Sequence, residues 1–281
     1  MIAVDWGTSN LRCYRLDAKG AVLEMRAAAK GILAVPGGKF LDVLEEQVGD
    51  WIGQGESPVV MSGMVGSRQG WVEVPYVPCP AGYAEIAAAM RKVRDGVWVV
   101  PGVSCRDGAG VPDVMRGEEV QILGAGSDGM FCLPGTHSKW VNVEGDRITR
   151  FSTHMTGELY ALLKQHSILG RMMEEEASDT NAFAQGVTRS GEDGGLLHHL
   201  FGVRTRALMG EFGPAASASY LSGILIGHEL RAAGGKTVSF LGAPGLVAHY
   251  EAAASLLGIE GRALDPDAAA RGLFRLGGML R

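Results

Sequence analysis

Two stretches decide the reading of this chain: Ile2-Ala3-Val4-Asp5-Trp6-Gly7-Thr8-Ser9-Asn10-Leu11-Arg12 at its start, and Met130-Phe131-Cys132-Leu133-Pro134-Gly135-Thr136-His137-Ser138-Lys139 in its middle. Each is an apolar run that breaks at a polar, Gly-containing turn and then resumes, the pattern of two strands joined by a hairpin. Working outward, the first is followed by a polar turn at Asp17-Ala18-Lys19-Gly20 and a third run from Ala21. The second is followed by Glu144-Gly145-Asp146 and a third run over 147–153. Strand, turn, strand, turn, strand therefore occurs twice, and the two halves read as copies of one α/β design. Apolar residues at helical spacing predict helices over 39–54, 116–125, 157–166, 215–232 and 246–257, and short buried runs predict strands at 58–61, 97–101 and 237–241. Residues 179–195 read as the least structured part. Leu256, Leu257, Leu273, Phe274 and Leu276 read as core, and Met172-Met173 before Glu174-Glu175-Glu176 as a helix end with a solvated acidic face.

A chain of 281 residues has room for two domains, each with its own core. With 46% hydrophobic and 20% charged residues it is neither disordered nor fibrous. The net charge of −5 leaves no basic footprint for nucleic acid, so an anionic ligand has to be held by local groups. Cys13, Cys79, Cys105 and Cys132 are scattered without a CxxC pair, which favours free thiols over a metal site or disulfide frame and points to the cytoplasm. The start of the chain lacks the basic and apolar regions of a signal peptide. The uncharged stretch 212–227 is short for a membrane span and is interrupted by Pro214, Ser217, Ser219 and Ser222. No nucleic-acid or membrane partner is expected, and a homodimer is left open.

The chemistry gathers at the turns. In the first, Asp5 ends a strand, and Gly7, Thr8, Ser9 and Asn10 can point backbone N–H groups at phosphate oxygens while the carboxylate organises a magnesium ion. A plain hairpin would use similar residues, but Gly135-Thr136 stands at the equivalent place in the second half, and the pair is a stronger signal than either turn. A third Gly-rich turn, Leu241-Gly242-Ala243-Pro244-Gly245, lies between a strand and a helix, where small residues let a ligand approach the backbone. Glu118 and Glu119 sit in the first turn of a predicted helix. Acidic residues there complement the helix dipole, and one of them can also serve as a general base. Ser62-Gly63-Met64-Val65-Gly66-Ser67-Arg68, with Gly70-Trp71, is a small-residue loop ending in a guanidinium suited to a carboxylate, and Arg12 and Arg116 are rival partners for it. His198-His199 reads as a surface pair.

Together these segments resemble the sugar kinase, heat-shock-protein ATPase and actin superfamily. More narrowly, IAVDWGTSNLR, VVMSGMVGSRQGW, VMRGEEVQILGA, LPGTHSKWV and MTGELYALL, in this order, resemble the 2-dehydro-3-deoxygalactonokinase family. The resemblance implies two ribonuclease-H-like domains, 1–122 and 123–281, closing on ATP across a nucleotide cleft, with the last helix packing back on the first domain. It further implies that Asp5 holds Mg2+ through water, that Gly7 to Asn10 and Gly135-Thr136 form two phosphate loops, and that Gly242, Ala243 and Gly245 form the adenosine loop. Glu118 is then the preferred base over Glu119. The sugar acid is expected near Ser62, Gly63, Met64, Ser67, Arg68 and Trp71, with Arg12 and Arg116. The second phosphate loop departs from many superfamily members in having Pro134-Gly135-Thr136-His137 where an aspartate is common. The implied reaction is ATP-dependent phosphorylation of 2-dehydro-3-deoxy-D-galactonate at its 6-hydroxyl in galactonate catabolism. A kinase for the gluconate epimer or another sugar acid, an exopolyphosphatase-like phosphohydrolase and a nucleotide-dependent regulator are the alternatives.

Overall fold

The structure is a computed structural model and describes residues 1–173, 178–265 and 267–280; the acidic run at Glu174 to Glu176 lies outside them. In chain order the elements are β1 (Ile2–Trp6), β2 (Leu11–Leu16), β3 (Val22–Ala28), α1 (Phe40–Gly53), β4 (Val59–Ser62), β5 (Val77–Pro78), β6 (Ala81–Gly82), α2 (Tyr83–Ala88), β7 (Arg91–Arg94), β8 (Val97–Val99), β9 (Val103–Arg106), β10 (Pro112–Met115) and α3 (Glu118–Ala125). They continue as β11 (Gly129–Leu133), β12 (Ser138–Glu144), β13 (Arg147–His154), α4 (Thr156–His166), α5 (Thr180–Arg189), α6 (Gly195–Leu208), α7 (Pro214–Ala233), β14 (Thr237–Phe240), α8 (Pro244–Leu256), β15 (Glu260–Ala263) and α9 (Ala268–Gly277). Contacts divide the chain into one unit of Met1–Gly129, Val141–Phe151 and Asp265–Arg281 and another of Met130–Trp140 and Ser152–Leu264.

In the first unit a six-stranded sheet runs β3-β2-β1-β4-β8-β7. β1 pairs antiparallel with β2 and parallel with β4, so its backbone is satisfied on both edges. Its apolar run is nearly continuous because both faces are covered. Ile2, Val4 and Trp6 pack under Phe40, Leu44, Val48 and Trp51 of α1. Val60 of β4 points the other way, towards Gly277 of α9. The chain's last helix thus belongs to the first unit, where it packs on α3, β1 and β4. A second six-stranded sheet runs β15-β14-β11-β12-β13-β6, with β11 parallel to β14 and β14 parallel to β15. A meander followed by a parallel fourth and fifth strand beside its first strand is the arrangement of both sheets, which is the structural form of the doubled sequence pattern.

The core of the second unit lies under α5, α7 and α8. Residues 179–195, expected to be mostly loop, contain α5, capped by Asp179, whose carboxylate accepts from the Ala182 N–H at 2.9 Å. Two further expectations are corrected: His199 is fully buried, while Leu256 is exposed. α5 and α7 cross at backbone contact. An ideal Cβ on Gly223 would lie 2.1 Å from the Phe183 carbonyl oxygen, so Gly223→Ala forces the helices apart. The expected loss is about 1–3 kcal/mol of stability, read as a lowered denaturation midpoint without loss of secondary structure.

Candidate active site

In the first unit, the parallel register of β1 and β4 places Asp5 beside Ser62, and the antiparallel register of β1 and β2 places it beside Arg12. Gly63 follows with φ 93°, and an ideal Cβ on Gly117 would lie 3.2 Å from the Gly63 Cα, so the start of α3 is held against the end of β4. This close approach brings Glu118 near Asp5, 113 positions away in sequence. Burial pushes the Asp5 carboxyl up to about 6; the Arg12 guanidinium, 3.9 Å away, pulls it down, and the Glu118 charge pushes it up. Two carboxylates and an arginine therefore share one end of the sheet.

The adjoining turn is built to leave its donors open. Gly7 N–H closes the hairpin on the Asn10 carbonyl at 2.9 Å, and the carbonyls of Gly7, Thr8 and Ser9 accept from Ile32, Leu33 and Gly31. Among the described residues no hydrogen bond uses the N–H groups of Thr8, Ser9 or Asn10, and all three residues are exposed. Such a loop has its acceptors occupied and its donors facing water, which suits an anion. The second unit repeats the device. The Thr136 carbonyl accepts from Glu158 N–H at 2.9 Å and the His137 carbonyl from Lys139 Nζ at 3.1 Å, while among the described residues no hydrogen bond uses the N–H groups of Gly135, Thr136 or His137. The His137 ring also pairs with the Glu158 carboxylate. The Gly242 turn lies against this loop, since an ideal Cβ on Gly242 would lie 3.4 Å from the Pro134 carbonyl oxygen. Ala243 caps α8, its carbonyl accepting from Leu246 and Val247, and Gly245 is in that helix's first turn. A cavity of about 240 Å3 borders Gly135, Thr156, Tyr160, Leu246 and Tyr250. A groove of about 690 Å3, sharing Tyr160, Ser222 and His249 with it, extends to Lys164, Asp179 and Phe183.

The sugar-acid candidates scatter more. Ser62 and Gly63 lie at the Asp5 end of the sheet. Met64 is half-buried, and Ser67 is buried with its hydroxyl donating to the Met64 carbonyl at 2.7 Å. Trp71 is half-buried and stacks on Phe40 at 6.4 Å, against the edge of the first unit's core. Arg68 is 82% exposed beside Glu73, and Arg12 is 54% exposed. Arg116 turns inward: it donates to the Val74 carbonyl at 2.7 Å and lies over the Tyr76 ring at 4.3 Å, with Nε and Nη1 sealed from solvent.

Glu118 and Glu119 point to different surroundings. Glu118 is half-buried, one carboxylate oxygen accepting from the Arg116 N–H at 3.0 Å. Glu119 is fully buried, accepts from the Gly117 N–H at 2.7 Å, and is pushed up to about 8, chiefly by burial and then by the Glu118 charge. Sequence reasoning missed the His137–Glu158 pair and the buried polar group around Tyr250, although MTGELYALL had already marked the segment that supplies Glu158.

The chain matches the family described as 2-keto-3-deoxy-galactonokinase over residues 5–276. A 2-dehydro-3-deoxygalactonokinase from Escherichia coli is 34% identical over 276 residues, covering 95% of this chain and 94% of that protein. A crystal structure from Sinorhizobium meliloti, assigned to 2-dehydro-3-deoxygalactonokinase, superposes with a TM-score of 0.90 at 37% identity, covering 98% of this chain and 97% of that one. The activator of 2-hydroxyisocaproyl-CoA dehydratase from Clostridium difficile, at 12% identity, shares the fold alone, with a TM-score of 0.51 over 99% of this chain and 95% of that one. Matched in sequence along nearly its whole length and in fold throughout, the chain belongs to the 2-keto-3-deoxy-galactonokinase family.

Proposed function

We propose that the protein transfers the γ-phosphoryl group of ATP to the 6-hydroxyl of 2-dehydro-3-deoxy-D-galactonate. The observation that carries this reading is the nearly full-length family match, joined to a first-unit site where two carboxylates border a turn with open N–H donors. The N–H groups of Thr8 to Asn10 and of Gly135-Thr136 offset charge on the phosphates. Gly242, Ala243 and Gly245, with the second unit's cavity and groove, receive the adenosine.

Asp5 fits the role of a magnesium holder through water. Its carboxylate is only partly exposed, its ion pair is with Arg12 at 3.9 Å, the Glu118 charge stands near it, and no group of three or more metal-ligating side chains exists among the described residues. Mg2+ keeps several waters and is held by one or two carboxylates plus the nucleotide's phosphates, where it neutralises charge on the transferred group. Glu118 orients the 6-hydroxyl and takes its proton as the oxygen bonds to phosphorus and the bond to ADP breaks; the burial of Glu119 keeps it from the substrate. Of the three arginines, Arg12 and Arg68 present their guanidinium groups to solvent and can meet the substrate carboxylate, whereas Arg116 supports the loop. Work in the cytoplasm agrees with four free thiols, and no helix among the described residues is long and apolar enough to cross a membrane.

The test is ADP production from Mg-ATP with the galactonate compound, with its gluconate epimer and with no acceptor. Release that depends on the galactonate compound is expected. Equal release with both epimers would overturn the stereochemical assignment, and release independent of any acceptor would overturn the kinase.

A further inference from the structure

The second unit buries a carboxylate that the proposed reaction does not use. Glu229 of α7 is 3% exposed, and its contacts are two neutral donors: Trp140 Nε1 at 2.7 Å on one oxygen and the Tyr250 hydroxyl at 2.7 Å on the other. A buried carboxylate is tolerated only when its oxygens are hydrogen-bonded, and here each has a donor. Because the Tyr250 proton is committed to Glu229, the Tyr250 oxygen is left to accept. Its remaining neighbour is the Ser138 hydroxyl, 3.0 Å away and also buried, so Ser138 donates to Tyr250 and Tyr250 to Glu229. The direction of every proton in this chain is thereby set.

The three elements it joins all bear on the nucleotide-side loops. Ser138 begins β12 directly after Gly135-Thr136-His137. Tyr250 lies in α8, whose first turn follows Gly242-Ala243, and its side chain also borders the cavity beside Gly135. Glu229 sits on α7, the long buried helix that supports both. A hydroxyl pair at the base of two glycine-rich turns is a costly way to fill space, since an apolar pair of the same shape would need no partners.

We propose that Tyr250, aimed by Glu229, is a positioning residue that locks the second phosphate loop to the adenosine loop through Ser138, so that both turns meet the nucleotide as one piece. Binding then does not have to order one loop relative to the other, a cost that otherwise weakens affinity. The inference rests on the reading of these turns as nucleotide-binding.

The experiment compares Tyr250→Phe, Ser138→Ala and the double variant for ADP affinity by calorimetry and for KM with each substrate. Losing one such hydrogen bond is expected to weaken ADP binding and raise the ATP KM by about 3–10-fold, with the sugar-acid KM unchanged. Tyr250→Phe also removes the donor of one Glu229 oxygen, so the double variant is expected to lose no more than Tyr250→Phe alone, which already cuts the link that Ser138→Ala removes. ADP affinity and ATP KM unchanged in the single variants, additive losses, or equal rises in both KM values would overturn the positioning role while leaving the kinase in place. Failure of the unaltered protein to bind ADP would instead overturn the nucleotide reading, and this inference with it. If Tyr250→Phe does not fold, Ser138→Ala alone decides the matter by the same split between the two KM values.

Discussion

Glu118→Gln is expected to lower kcat by about two to four orders of magnitude while ATP still binds, the range for loss of a positioned base. The substitution is chosen to leave the scaffold intact. Glu118 holds the turn into α3 by accepting from the Arg116 N–H at 3.0 Å, and a glutamine carbonyl oxygen accepts equally well. What the amide cannot do is take a proton from the attacking hydroxyl. The loss should therefore fall on kcat and kcat/KM together, with ADP affinity by calorimetry and the denaturation midpoint near those of the unaltered protein. Glu119→Gln is the internal control, because a fully buried carboxylate has no route to the substrate, and its kcat should stay near normal. Normal turnover in Glu118→Gln, or a comparable collapse in Glu119→Gln, would remove Glu118 from the role of base.

The two candidate phosphate-binding turns were legible in the sequence because hairpins are local: an apolar run, a polar Gly-containing turn and a second run are specified by adjacent residues. The repetition of that pattern marked the meander that opens each large sheet, while the parallel strands added beside it are set by pairing across the chain. What stayed hidden was set by residues distant in the chain. Residues 179–195 read as the least structured part, although they contain α5. Gly186 is there because an ideal Cβ would lie 2.3 Å from the Tyr220 carbonyl oxygen of α7, a helix-crossing requirement that resembles a turn signal until the partner helix is known. His199 read as a surface residue. Its Nε2 lies 3.1 Å from the Asp193 carbonyl and its Nδ1 3.0 Å from His228, a partner 29 residues on. Arg116 and Arg68 are chemically alike in the sequence, and only the fold shows one guanidinium turned in over Tyr76 and the other in water. Glu118 and Glu119 differ by one helical step, which is enough to send one carboxylate towards Asp5 and the other into the core.

That same step makes the stability of the first unit depend on pH. Glu119 has a folded-state pKa of about 8 against 4.5 for an ordinary glutamate, because burial disfavours its charge more strongly than Arg116 and the Gly117 N–H favour it. Between these values the folded protein keeps the proton and the unfolded chain releases it. The folded state binds more protons, so stability falls as pH rises through this window and levels off above the folded pKa. Glu119→Gln keeps an acceptor for the Gly117 N–H and cannot ionise, so this loss should be absent. Near pH 4.5 the variant and the unaltered protein should unfold at similar denaturant concentrations. By pH 8.5 the variant should be more stable by on the order of 4 kcal/mol, the linked free energy of such a displacement. Urea unfolding at the two pH values checks this, and parallel stability curves for the two proteins would mean that Glu119 is already ionised in the fold. In that case the unpartnered Glu119 Oε1 and Arg116 Nη1 would have to be satisfied by each other or by trapped water, and Gln at position 119 should destabilise the protein at every pH, because it would leave the Arg116 charge buried without its counter-ion.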